Sequence, residues 1–143
     1  MPTTIALIGA LDTKADDLAF VRDAIEARGG RVMLIDTGVR GGSGGVQASI
    51  SRNEVAEAAD TDLGSLVAGG DRGNAVDAMA LGASRVVRRL YAEGRIHGVI
   101  GMGGGAGTFV ATTAMRALPI GFPKLMVSTV ASGNTEPYLG TSD

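Results

Sequence analysis

Cysteine is absent from the 143-residue sequence. That excludes disulfides, thiolate catalysis and cysteine-ligated metal sites. Histidine is nearly absent too: the one residue, His97, is too few for a histidine-built metal site. Aromatic residues make up only 3 % of the chain. There is no excess of positive charge, since 13 basic residues face 15 acidic ones and the formal net charge is −2. This argues against a general binder of DNA or of membrane surfaces, because both partners are polyanions. No apolar run is long enough to span a bilayer, and Met1-Pro2-Thr3-Thr4 lacks the basic flank of a signal peptide. A cytoplasmic setting is the expectation.

What is present suits one globular domain. Apolar residues are 45 % and charged residues 20 %, both ordinary values. Glycine is the exception at 23 residues, about twice the usual fraction. The glycines cluster at residues 41–45, 69–70 and 101–107. Clusters of this kind mark places where the backbone turns sharply or approaches something closely.

Strands and helices alternate along the chain. Residues 4–9 (TIALIG) read as a buried strand ended by glycine. Thr13 and Asp16 have capping-box spacing, which predicts a helix from there to Gly29-Gly30. Residues 32–35 read as a second strand closed by Asp36-Thr37-Gly38, completing a βαβ unit. Residues 37–50 read as a long glycine-rich loop, and Ser51 caps a short helix over 52–59. Residues 63–70 fit no single pattern. Asp71 caps a long helix ended by Gly94, and a third strand begins near Ile96. Phe109 to Leu118 reads as a helix stopped by Pro119, and residues 125–127 as a fourth strand. The tail, 131–143, has no clear periodicity. The alternation predicts an α/β, Rossmann-like three-layer domain with a parallel sheet of strand order 2-1-3-4. In that order the winding reverses between strands one and three, and a crevice opens at their carboxyl ends.

Two segments flank that crevice. Gly101 to Thr108 (GMGGGAGT) joins a strand to a helix. Backbone amides of Gly103, Gly104, Gly105 and Gly107, with Thr108, could cradle a phosphate at the positive end of the helix dipole. The letters G-x-G-x-x-A are satisfied by Gly101, Gly103 and Ala106. No acidic residue ends the next strand for ribose recognition, so a dinucleotide is weakly supported. A tight strand–helix turn is the competing explanation. The second segment holds Asp12, Thr13 and Lys14. It is not a Walker A loop, since Gly-Lys-Ser/Thr is missing. Lys14 could neutralise a phosphate, Thr13 could add a hydroxyl and Asp12 could hold a ribose hydroxyl or a metal-bound water. An ordinary helix start with a solvated lysine explains the same residues.

Two weaker candidates lie at other strand ends. Ser132, Gly133, Asn134 and Thr135 follow strand four and could contact a nucleoside or form a plain turn. Asp36 lies one strand from the crevice, within reach of a long ligand. His97 falls at the amino-terminal end of the sheet, away from the site. Arg85, Arg88, Arg89 and Arg95 read as a solvated face near a helix carboxyl end.

Seven blocks in order carry a family resemblance: LDTK (11–14), DTGV (36–39), SRNEVAEAA (51–59), GGDRGNAVDAMALGA (69–83), GVIGMGGGAGT (98–108), MRALPIGFPKLMVST (115–129) and ASGNT (131–135). Together they resemble the amino-terminal part of the ATP-binding domain family typified by the tomato mosaic virus resistance protein. The resemblance implies a nucleotide ligand, ATP, and a homodimer; magnesium could accompany ATP, with no obvious pair of carboxylates to hold it. It also implies that residues 1–143 are a single nucleotide-binding domain cut from a longer two-domain protein. No nucleophile or general base stands out, so hydrolysis is not predicted. Two other expectations stay open: an enzyme acting on a small phosphorylated or carboxylated metabolite at the same crevice, and a self-association module.

Overall fold

The computed structural model describes residues 2–140. Met1 and residues 141–143, the end of the aperiodic tail, lie outside the described residues. Four strands form one parallel sheet: β1 (Thr4–Gly9), β2 (Arg31–Asp36), β3 (Gly98–Gly103) and β4 (Lys124–Ser128). Their order is β2-β1-β3-β4, as the alternation predicts. Side chains of β1 divide by parity between two cores. Ala6 and Ile8 pack on one face with Met79, Val87, Val110 and Ala114. Leu7 packs on the other with Leu11, Leu18 and Leu34. The period of two along a strand dictates this division. Helices therefore cover both faces of β1, which is why it reads as an unbroken apolar run; β4 is covered on one face only, with Leu125 and Val127 exposed on the other.

Helix α1 (Leu11–Ala27) lies on the Leu7 face. Helices α2 (Arg52–Ala58), α3 (Leu63–Ala68), α4 (Arg72–Ala92) and α5 (Gly105–Arg116) supply the other core. Ser51 caps α2 within a complete capping box, and Asp71 caps α4 through Asn74 N–H, as sequence predicts. Two segments without a clear pattern are short helices, α3 and α6 (Glu136–Leu139). The loop 37–50 is tied down where it ends. Ser49 Oγ accepts Leu34 N–H at 2.9 Å, and Ile50 forms a single parallel bridge with Ile35.

Two helix starts differ from expectation, both for physical reasons. Thr13 does not cap α1. The helix begins at Leu11, whose N–H donates to Asp36 Oδ1 at 3.0 Å, so the cap comes from the end of β2. A break in helical geometry then falls on Lys14. Helix α5 begins at Gly105 rather than Phe109. Strand β3 runs through Gly103, and Gly104 alone joins it to the helix. A Cβ on Gly103 would lie 2.6 Å from Gly107 Cα. Only glycine lets the first turn of α5 fold back so closely on the strand.

Candidate functional site

The carboxyl ends of β1 and β3 open into a cavity of about 530 Å³. That size is ordinary for a small-molecule site. One wall is the β1–α1 corner, Ala10 with Asp12, Thr13 and Lys14. A second is the β3–α5 corner, Met102 to Gly107. The strap after β2, Thr37 to Gly41, forms a third. The floor is apolar, with Val76 and Met79 from α4 and Val110 from α5.

The α5 corner leaves its first-turn amides without a side-chain cap. The N-cap is Gly104 and no side chain caps the helix. First-turn amides at 105–107 therefore have no capping side chain, at the positive end of a 12-residue helix. Gly105, where a Cβ would meet nothing within 4 Å, leaves that approach clear.

Charge in the crevice is lopsided. Lys14, Arg40 and Arg72 line it against one carboxylate, Asp12. None of the three cations has a side-chain hydrogen bond or ion pair among the described residues. Asp12 Oδ2 accepts the Arg40 N–H at 3.0 Å, tying strap to helix. Gly38 makes that crossing possible, since a Cβ there would sit 3.0 Å from the Asp12 carboxyl.

The structure gathers some of the candidate residues and separates others. Asp12, Thr13, Lys14, Gly103, Gly104, Gly105 and Gly107 all line the one cavity. Thr108 does not. Its side chain is buried and bonded to Ser128 Oγ at 2.5 Å, and its N–H donates to Gly104 O at 2.8 Å. Gly103 contributes close packing as the last residue of β3. Asp36 is buried behind the strap. Its Oδ1 accepts Leu11 N–H and Gly38 N–H at 3.0 and 2.9 Å, and its Oδ2 pairs with Arg52 Nε at 2.9 Å. Ser132, Gly133, Asn134 and Thr135 line no part of the crevice; the first three are exposed, and Asn134 Oδ1 accepts Glu136 N–H at 3.0 Å. His97 lies at the opposite end of the sheet, where its Nδ1 accepts Thr4 N–H at 3.0 Å.

Arg40 and Arg72 are the residues that sequence reasoning missed. Arg52 is a third, in a supporting part. It donates to the carbonyls of Arg40, Gly41 and Gly42 at 2.9, 2.8 and 3.2 Å, pinning the strap.

A metal is poorly served by the protein itself. Among the described residues no three His, Cys, Asp or Glu side chains converge on one point. Among the described residues, no helix is long and apolar enough to cross a membrane.

Residues 3–143 match the family described as "Uncharacterised protein family (UPF0261) N-terminal domain". The chain belongs to the UPF0261 family. It is 42 % identical over 143 residues to a UPF0261 protein of Clostridium tetani, covering all of this chain and 35 % of that protein. A UPF0261 protein of Mesorhizobium japonicum is 43 % identical over 141 residues, 97 % of this chain and 34 % of its own length. The ToMV resistance protein Tm-1(GCR237) of Solanum lycopersicum is 36 % identical over 155 aligned residues, 95 % of this chain and 20 % of that protein. This UPF0261 domain thus spans about a third of the length of the bacterial relatives.

Proposed function

We propose that this domain binds a nucleotide, ATP, through its phosphates. The observation that carries the proposal is the meeting of Lys14 with the side-chain-free amino terminus of α5 in one cavity at the β1/β3 switch point. First-turn amides of α5 supply donors to phosphate oxygens, and Lys14 supplies charge. Thr13 offers a hydroxyl at the same wall. The apolar floor of Val76, Met79 and Val110 suits a base or ribose face. Magnesium accompanies the phosphates rather than being held by a protein cage. Catalysis is not part of the proposal.

Calorimetric titration of the full-length protein with ATP, ADP and NAD tests it. ATP should bind, and Lys14→Gln should weaken it by about tenfold, the loss of one charge-assisted contact. Absence of ATP binding at millimolar concentration sinks the reading. The homodimer implied by the family resemblance is a separate proposal. It is favoured by the uncovered face of the edge strand β4, where Leu125 and Val127 are 55 % and 47 % exposed. Sedimentation equilibrium returning only monomer refutes it.

A further inference from the structure

Nucleotide binding as proposed uses one of the three cations in the crevice. Arg40 and Arg72 are left over. They come from different elements, the strap after β2 and the first residue of α4. They line the crevice together and also share an adjoining cavity of about 380 Å³.

The position of Arg72 is unfavourable by itself. A cation at a helix amino terminus faces the positive end of the dipole. Arg52 occupies the same first position in α2, and there the buried carboxylate of Asp36 compensates it at 2.9 Å. Arg72 has no such partner among the described residues. Its neighbour Asp71 turns Oδ1 back onto Asn74 N–H at 3.0 Å as the helix cap.

Arg40 has a fixed backbone and a free side chain. Its N–H is held by Asp12 Oδ2 at 3.0 Å and its carbonyl by Arg52 Nη1 at 2.9 Å. The guanidinium therefore extends from an anchored point, which lowers the ordering cost of binding. With Lys14 included, three positive charges face the single carboxylate of Asp12. An isolated monophosphate at α5 would leave the two arginines uncompensated.

We infer that Arg40 and Arg72 form a second anionic subsite for the terminal phosphates of a polyphosphate chain, so that the crevice reads phosphate number. The inference rests on the nucleotide reading for the base but not for the phosphates. Planar guanidinium forks match phosphate oxygens bidentately, which a carboxylate-bearing metabolite of one charge would not exploit at both places.

The test is calorimetry on the intact protein with AMP, ADP, ATP and inorganic tripolyphosphate, repeated on Arg40→Gln/Arg72→Gln. Both side chains are exposed, and thermal melts of the variant should match the wild type. ATP should bind about tenfold to a hundredfold tighter than AMP, as expected for one or two added charged contacts. In the double variant that ratio should fall to about one while AMP affinity holds. Equal affinities for AMP and ATP in the wild type overturn the subsite but leave the nucleotide reading standing. The same holds if the variant loses AMP and ATP by the same factor, or loses neither. Tripolyphosphate binding that the variant abolishes, without binding of any nucleotide, upholds the subsite and removes the nucleoside. Binding of neither overturns both.

Discussion

Replacing Asp36 should be among the most damaging single changes in this domain, although the residue sits at a strand end beside a glycine-rich strap. Its carboxylate is 3 % exposed as a residue and takes three donors: Leu11 N–H, Gly38 N–H and Arg52 Nε. Arg52 is itself only 12 % exposed in its side chain. Asp36→Ala leaves a buried guanidinium without its counter-charge, which costs about 3–5 kcal/mol when one partner of a buried pair is removed. Two stranded amides lie in the same pocket, but their cost overlaps with that figure because the groups share one network. The loss is a large part of the roughly 5–15 kcal/mol that holds a domain folded. Asp36→Asn separates the contributions. Its remaining oxygen can still accept from Leu11 and Gly38, while its amide presents a donor to a donor. That variant should lose about 1.5–3 kcal/mol, the range for a hydrogen bond to a charged group. Urea unfolding measures both, provided the m-value stays constant. Hydrogen exchange at residues 38–42 should accelerate in both variants, since Arg52 pins that strap through Asp36. If Asp36→Ala costs under about 1 kcal/mol at unchanged m, or if both variants cost the same, the buried pair is not the anchor described here.

Three further outcomes follow from single positions. Gly82→Ala on α4 should cost about 2–3 kcal/mol or more in urea unfolding, because its Cβ would lie 2.0 Å from Val55 O of α2; a cost near zero would mean the two helices are not in this register. Gly103→Ala and Gly105→Ala should differ in sign: the first displaces Gly107, 2.6 Å away, whereas the second meets nothing within 4 Å and should be neutral or add about 0.4–1 kcal/mol, an order that thermal melts would reverse if the tight β3–α5 turn were wrong. Asp62 accepts hydrogen bonds from the backbone and then the side chain of Ser65, which hold its carboxyl below the ordinary aspartate value of 3.8. Because the folded value is depressed, the cap of α3 contributes above the unfolded value and is lost as pH falls through the folded one, below about pH 4. An NMR titration should place the Asp62 midpoint low, and Ser65→Ala should raise it; a midpoint at or above the ordinary value removes the cap from consideration.

The fold was readable because each parallel strand is a short apolar run with a glycine, an aspartate or a proline beside it, and the linking helices have period 3.6. The glycine-rich corner was readable for the same kind of reason, although four residues of its supposed loop are helix. Close packing at Gly103 and open approach at Gly105 both call for glycine, and sequence cannot divide the two. Thr108 and Asp36 show the same ambiguity among polar residues. A hydroxyl or carboxylate at a strand or helix end looks alike whether it meets a ligand or the protein. Asp36 is decided by Arg52, 16 residues ahead, and Leu11, 25 behind.

A usable signal for the basic residues was nevertheless in plain sight. Ser51-Arg52 and Asp71-Arg72 each place an arginine directly after a helix-capping residue, where the dipole disfavours a cation. Such a residue calls for an anion nearby. For Arg52 the chain supplies one, the buried Asp36. For Arg72 the described residues form no ion pair, the adjacent Asp71 carboxylate being turned onto Asn74 N–H, and the helix start opens on a crevice that already holds Lys14 and Arg40. Both arginines hold the first helical position, Arg52 paired with a buried carboxylate and Arg72 with no ion pair among the described residues, and that difference makes Arg72, not Arg52, a test position for the proposed anion subsite.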